Sequence, residues 1–195
     1  VPNIEGPGLA GCQLNHREEL GGWIVEVDDH LQTSIDQIYA AGEITGVGGG
    51  PKSICEGNLA ALSILKQFDK IDSDNFLEEH QTLHKERKKH LKFARLFNSL
   101  YPVTESDIQA VPDDTVICRC EDVTMGSVRK AIASGFTSFD AIKLGTRATM
   151  GNCQGRTCSQ TVNDLIYAST KNKLAEPLSF RPPLKPVSIG SFSGE

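Results

Sequence analysis

Long apolar runs are missing from this chain. No stretch of its 195 residues approaches the roughly 18 to 20 apolar residues of a membrane helix, so no transmembrane segment is expected. The opening, VPNIEGPGLAG, has neither a basic start nor an apolar stretch, which argues against a signal peptide there. It also lacks an initiator Met and reads like the middle of a fold, so the chain is expected to be a piece of something longer. An excess of positive charge is absent as well: 20 Lys and Arg face 25 Asp and Glu, for a net charge of -5. Bulk binding to nucleic acid or to an anionic membrane is therefore disfavoured. Six cysteines are too few for a secreted disulfide scaffold. Four of them crowd into the second half, which suggests a metal site in a reducing compartment and a cytoplasmic protein. No G-x-G-x-x-G dinucleotide motif occurs. The five histidines are scattered, three of them (His80, His84 and His90) in a polar stretch, and no residue stands out as acid, base or nucleophile. No catalytic residue is assigned.

What remains falls into four segments. Residues 1–65 read as α/β. GGWIVEVD alternates apolar and polar residues from Trp23 to Asp28, as a half-buried strand does, and DQIYAAGE is a short apolar run ending at Gly42, like a buried strand. Next comes GVGGGPKS, residues 46–53. It nearly matches the phosphate-binding pattern G-x-x-x-x-G-K-[ST], but Pro51 stands where the second glycine belongs. Proline has no N–H to aim at a phosphate and a fixed φ, so an ATP site is rejected. Pro51 instead suits the first turn of a helix that continues through Ile54, Leu59, Leu62 and Leu65. Residues 66–110 read as a charged helical linker, basic from Lys85 to Lys92, with one buried end at Leu91, Ala94, Phe97 and Tyr101.

Residues 111–170 form a compact unit. TMGSVRKAIASG predicts a short helix with Thr124 as N-cap and Gly135 beyond its end. TSFDAIKLG predicts a second, with Thr137 and Asp140 spaced as a capping box and Gly145 as the stop. A third is expected from about Thr157. Two short capped helices raise the possibility of a DNA-binding helix-turn-helix, but six Lys and Arg against six Asp and Glu leave no basic surface for DNA. Residues 171–195 are a Pro-rich tail expected to be extended.

Within the compact unit lies the strongest chemical signal: Cys118 and Cys120, thirty-two residues, then Cys153 and Cys158. Four thiolates suit a tetrahedral zinc or an iron–sulfur cluster. Structural zinc sites prefer two to four residues between paired ligands. A one-residue gap in extended backbone separates the two positions by about 7 Å, wide for one small ion and easier for a two-iron rhomb. Gly151 and Gly155 allow backbone N–H groups to approach sulfur, and Cys158 falls in the first turn of the expected helix, at its positive end. Arg119, Arg147 and Arg156 are near in sequence and would raise a reduction potential. Zinc held for structure or regulation by the same four cysteines is the alternative reading. Cys12 and Cys55 stand in apolar contexts and read as core residues.

VICRCEDVT together with GTRATMGNCQGRTC resembles the [2Fe–2S] domain of the bacterioferritin-associated-ferredoxin type, in the version fused to flavoprotein oxidoreductases. That resemblance implies Cys118, Cys120, Cys153 and Cys158 as the cluster ligands. TSIDQIYAAGEITG resembles the second FAD-binding motif of the pyridine nucleotide-disulphide oxidoreductase family. It implies that Glu43, one methylene longer than the usual Asp, contacts a ribityl hydroxyl, and that Gly42, Gly48, Gly49 and Gly50 let the backbone approach the flavin. The order of segments resembles the C-terminal half of the FAD-containing α-type subunits of heteromeric amine and amino-acid dehydrogenases. Hydrogen cyanide synthase, opine oxidase and proline or hydroxyproline dehydrogenase are of this type. The fold expected is an α/β fragment of an FAD-binding domain followed by a small, mostly α, [2Fe–2S]-binding domain. The half that grips the FAD pyrophosphate would lie upstream of Val1, the partners would be other subunits of the enzyme, and the fragment alone would be inactive.

Overall fold

The computed structural model describes residues 2–171, 179–182, 184 and 187–192. They divide into two compact units, Val1–Pro102 and Val103–Glu195.

The first unit begins with a one-turn helix, α1 (Glu5–Leu9), and an antiparallel hairpin of β1 (Leu14–Arg17) and β2 (Gly22–Val25). Leu14 pairs with Val25 and Arg17 with Gly22. The apolar alternation at Trp23 thus marks a real strand, with Ile24 and Val25 buried. The run 36–43 is not the buried strand that its apolar residues suggest. Its only ladder contact among the described residues is a single antiparallel bridge, Gln32 to Tyr39. Leu31 and Gln37 both take positive φ, which folds this stretch back on itself as a narrow turn with no neighbouring strand to extend it. The described strands amount to two separate two-stranded sheets, and the molecule is mostly helical.

Helix α2 (Gly49–Gln67) carries Pro51 in its first turn, as expected. Its buried face differs from the apolar pattern. Ile54 is 69 % exposed, whereas Lys52, Cys55, Glu56, Leu59 and Ser63 are buried. Two charged residues therefore set the helix rotation. The long helix α3 (Ser73–Leu100) starts at Asp72, whose carboxylate accepts the N–H groups of Asp74 and Asn75. These N–H groups have no intrahelical partner, so the cap stabilises the start of the helix. Helix α3 packs on α2 through Arg87 and Leu83. Near its end only Ala94 is buried; Phe93, Phe97 and Tyr101 stack on one another but face outward, contrary to the buried end expected there.

In the second unit, α4 (Glu105–Ala110) opens with a reciprocal capping box between Thr104 and Asp107. Strands β3 (Val116–Cys118) and β4 (Val123–Thr124) form a short antiparallel hairpin that runs into α5 (Met125–Ala133), capped by Thr124 as its sequence predicts. Helix α6 (Phe139–Thr146) is capped by Ser138, one residue later than the spacing of Thr137 and Asp140 suggested. Its stop is Arg147 in a left-handed conformation. Gly145 lies inside the helix, where a Cβ would stand 3.2 Å from the Phe136 ring. Helix α7 (Ser159–Thr170) completes a core of Met125, Val128, Ile142, Val162 and Ile166, all at most 1 % exposed. Arg129 ties α5 to the α4–β3 connection by donating to the carbonyls of Val111, Ile108 and Gln109 at 2.9 to 3.0 Å, and it also pairs with Asp113. Of the Pro-rich tail, residues 172–178, 183, 185–186 and 193–195 lie outside the described residues; Ile189–Phe192 form a 3-10 turn. Among the described residues no helix is long and apolar enough to cross a membrane.

Candidate functional site

The second unit brings the four cysteines of its sequence motif together. Cys118 ends β3, and Cys120 lies in the turn after it, where Asp122 takes φ +53°. Cys153 sits in the loop between α6 and α7, and Cys158 is the residue at which α7 begins, one position before the first turn. None is disulfide-bonded. The thiols of Cys118 and Cys158 are hydrogen-bonded to each other, as are those of Cys120 and Cys153, and the Cys153 charge is felt at Cys158. The four cysteines therefore share one neighbourhood as two pairs, Cys118 with Cys158 and Cys120 with Cys153. No three His, Cys, Asp or Glu side chains among the described residues close around a single ion position.

Backbone donors surround these sulfurs. Burial works to raise the Cys153 thiol, but the Thr157 N–H, the Cys120 thiol, the Gly155 N–H and the Thr157 hydroxyl outweigh it and hold it below its usual range. Cys158 is pushed up to about 12, first by burial and then by the Cys118 thiol and charge, against the opposing N–H of Thr149. Gly155 takes φ +82°, which glycine adopts freely, and so turns its N–H toward Cys153. Gly151 leaves no room for a side chain: a Cβ there would stand 2.1 Å from the Cys120 Cβ. Thr149, 4 % exposed, has a buried hydroxyl oxygen with no partner among the described residues. Arg147 donates to Glu121 at 2.7 Å, so its charge is already balanced by a neighbour. Soft, converging thiols, N–H donors aimed at sulfur and an unspent buried hydroxyl are what an anionic thiolate-ligated group requires, and the residues fit a two-iron cluster.

The glycine-rich turn lies in the first unit and is built around a lysine. Gly42, with φ +90°, opens a 3-10 turn over Glu43–Thr45. Lys52, 0 % exposed, reaches back into this turn and donates to the Gly42 carbonyl at 2.8 Å, the Thr45 hydroxyl at 2.6 Å and the Gly46 carbonyl at 2.9 Å. Glu56, equally buried, meets Lys52 at 2.9 Å and accepts from the Gly42 N–H, the Thr45 hydroxyl and Arg87 Nε. Burial works to raise the Glu56 carboxyl, but the Lys52 charge and these donors hold it below the ordinary carboxylate range. The ammonium of Lys52 is committed to the fold and cannot serve a phosphate, in keeping with rejection of the P-loop. Glu43, Gly49 and Gly50 are exposed beside the start of α2. At Gly48 a Cβ would meet the Lys52 stem at 2.8 Å, so the buried lysine also requires a glycine there. Glu56, Thr45 and Arg87 escaped the sequence reading. The i, i+4 spacing of Lys52 and Glu56 within an apolar helix face was the available signal.

Residues 116–168 match the family described as the BFD-like [2Fe-2S] binding domain. Along its length the chain is similar to oxidoreductase subunits. It is 32% identical over 195 residues to an opine oxidase subunit of Rhizobium meliloti (strain 1021), covering 99% of this chain and 42% of that protein. It is 33% identical over 162 residues to hydrogen cyanide synthase subunit HcnB of Pseudomonas aeruginosa (strain PAO1), covering 83% of this chain and 35% of that one. Among solved structures, L-proline dehydrogenase from P. horikoshii superposes with a TM-score of 0.72 at 25% identity, over 98% of this chain and 37% of that one. The chain therefore spans less than half the length of these relatives.

Proposed function

We propose that the chain is the electron-transfer portion of a flavin-dependent oxidoreductase subunit. In this reading Cys118, Cys120, Cys153 and Cys158 hold a [2Fe–2S] cluster, and Gly42, Glu43, Gly48, Gly49 and Gly50 belong to one side of an FAD site. A bound cluster of this kind accepts and releases single electrons. The chain's own residues supply its surroundings. The N–H groups of Thr149, Gly155 and Thr157 face sulfur and offset negative charge, and the buried walls at Cys118 and Cys158 exclude water from one side. Lys52 and Glu56 fix the Gly42–Gly46 turn from beneath, leaving Glu43 free at the surface to meet a polar group.

The observation that carries the reading is the two neighbouring cysteine pairs with backbone donors facing Cys153 and Cys158, within residues matching a [2Fe-2S] domain. The names of the similar proteins support a place in a heteromeric amine or amino-acid dehydrogenase, with chemistry on substrate carried out by a partner subunit. The test is anaerobic preparation followed by iron, zinc and sulfide analysis and spectroscopy. The expected protein is reddish, bleaches with dithionite and gives a rhombic paramagnetic signal when reduced. A colourless protein with one zinc and no iron would assign the cysteines to a structural or regulatory zinc module instead. The chain alone is expected to lose added FAD on gel filtration, because the pyrophosphate-binding half is not in it; retention at one FAD per chain would contradict a half-site.

A further inference from the structure

We infer that Thr149 donates a hydrogen bond from its hydroxyl to the sulfur of the group held by the four cysteines, and that this bond raises the reduction potential there. The inference rests on the cluster reading above.

Two unfavourable features coincide at this residue. Thr149 has φ +72°, a left-handed conformation that suits glycine and strains a β-branched side chain. Its hydroxyl oxygen is buried without a partner among the described residues, whereas buried hydroxyls ordinarily find one. A glycine would remove both costs at once. Neighbouring threonines behave differently. Thr146 donates to the Ile142 carbonyl at 2.7 Å and accepts the Ala148 N–H at 3.1 Å, and Thr157 donates to Cys153. Those hydroxyls are absorbed by the fold and Thr149's is not.

Position supplies the missing partner. The backbone N–H of Thr149 points at the Cys158 sulfur, so the residue already lies against the thiols. Its neighbour Ala148 is 0 % exposed, which leaves this wall dry. Placing an anionic thiolate-ligated group against that wall would bring electron-rich sulfur acceptors to this hydroxyl. A hydroxyl donor stabilises the more negative, reduced form more than the oxidised one, which shifts the couple upward.

The test uses the full chain with its cluster reconstituted anaerobically. Midpoint potentials are read by mediated titration of the visible bands and of the paramagnetic signal. Thr149→Val keeps shape and strain but removes the hydroxyl, Thr149→Ser keeps the hydroxyl, and Thr149→Gly removes hydroxyl and strain together. Val and Gly are expected to lower the reduced-to-oxidised ratio at a fixed ambient potential about tenfold, equivalent to about 59 mV for a one-electron couple, with Ser close to the parent. If the Val variant does not accept a cluster, the Ser and Gly pair carries the comparison, since glycine suits φ +72°. Val and Gly variants at the parent potential would overturn this inference alone. A parent chain that takes up no iron would overturn the cluster reading and this inference with it.

Discussion

Replacing Glu56 with Gln is expected to be among the most destabilising single changes in the first unit. Glu56 is 0 % exposed and accepts from four donors: the Gly42 N–H at 2.9 Å, the Thr45 hydroxyl at 2.6 Å, Arg87 Nε at 2.9 Å and Lys52 Nζ at 2.9 Å. Glutamine has one oxygen, and its NH2 must face either Arg87 or the donors around Oε2. One donor is then opposed by another donor, and the Lys52 ammonium stays buried without a counter-charge. Breaking one side of a buried pair costs about 3 to 5 kcal/mol. With a urea m-value of about 2 kcal/mol/M, the unfolding midpoint should fall by about 2 M. The chain's single tryptophan, Trp23, lies on β2 and reports this unit by fluorescence. Graded variants make the test stricter. Arg87→Met, which removes one charged bond from a residue 13 % exposed in its side chain, should cost about 1.5 to 3 kcal/mol. Ser53→Ala, whose hydroxyl donates to the Gly49 carbonyl at 3.1 Å, should cost less than about 1 kcal/mol. An E56Q cost under about 1 kcal/mol, or a cost no larger than that of S53A, would refute the view that this buried network holds the glycine turn.

Three further outcomes follow from the same geometry. Because Glu56 is held below its ordinary range of about 4.5, its contribution is fully present above that pH and is lost as pH falls through the lower folded value; urea midpoints read at Trp23 should therefore drop in acid more steeply for the parent than for E56Q. Gly151→Ala places a Cβ 2.1 Å from that of Cys120 and should abolish or strongly reduce iron uptake, measured as iron per chain, while the Trp23 unfolding midpoint stays within about 0.5 kcal/mol of the parent. Arg129→Ala removes donors to three carbonyls and should lower the thermal midpoint of the second unit by the equivalent of about 2 to 3 kcal/mol, followed by far-UV circular dichroism.

The sequence announced the second unit more fully than the first. Thr124 and Gly135 bound α5 because caps and stops are local chemistry, written within four residues of where they act. The cysteines were legible because thiols at such spacings have few other uses. Lys52 was misleading for the opposite reason. Its neighbours in sequence resemble a phosphate loop, but its partners are a turn that folds back from ten residues earlier and Glu56, itself held by Arg87 on another helix. Residues 36–43 failed as a strand because a strand is defined by its neighbours, and an apolar run does not disclose whether a neighbour exists. Thr149 could not have been found by pattern at all; its φ and its unpaired hydroxyl exist only in three dimensions.

The unequal exposure of the four cysteines gives the site a front and a back. Cys118 and Cys158 are sealed in the core, Cys153 is partly covered, and Cys120 stands at the surface. If the four cysteines hold the proposed cluster, the path for an electron to an outside acceptor would be shortest at Cys120. The same edge is where chelators and oxidants gain access first. On that reading traffic and damage would share one doorway, and a partner docked there to exchange electrons would also shield the site from solvent for as long as it stayed bound.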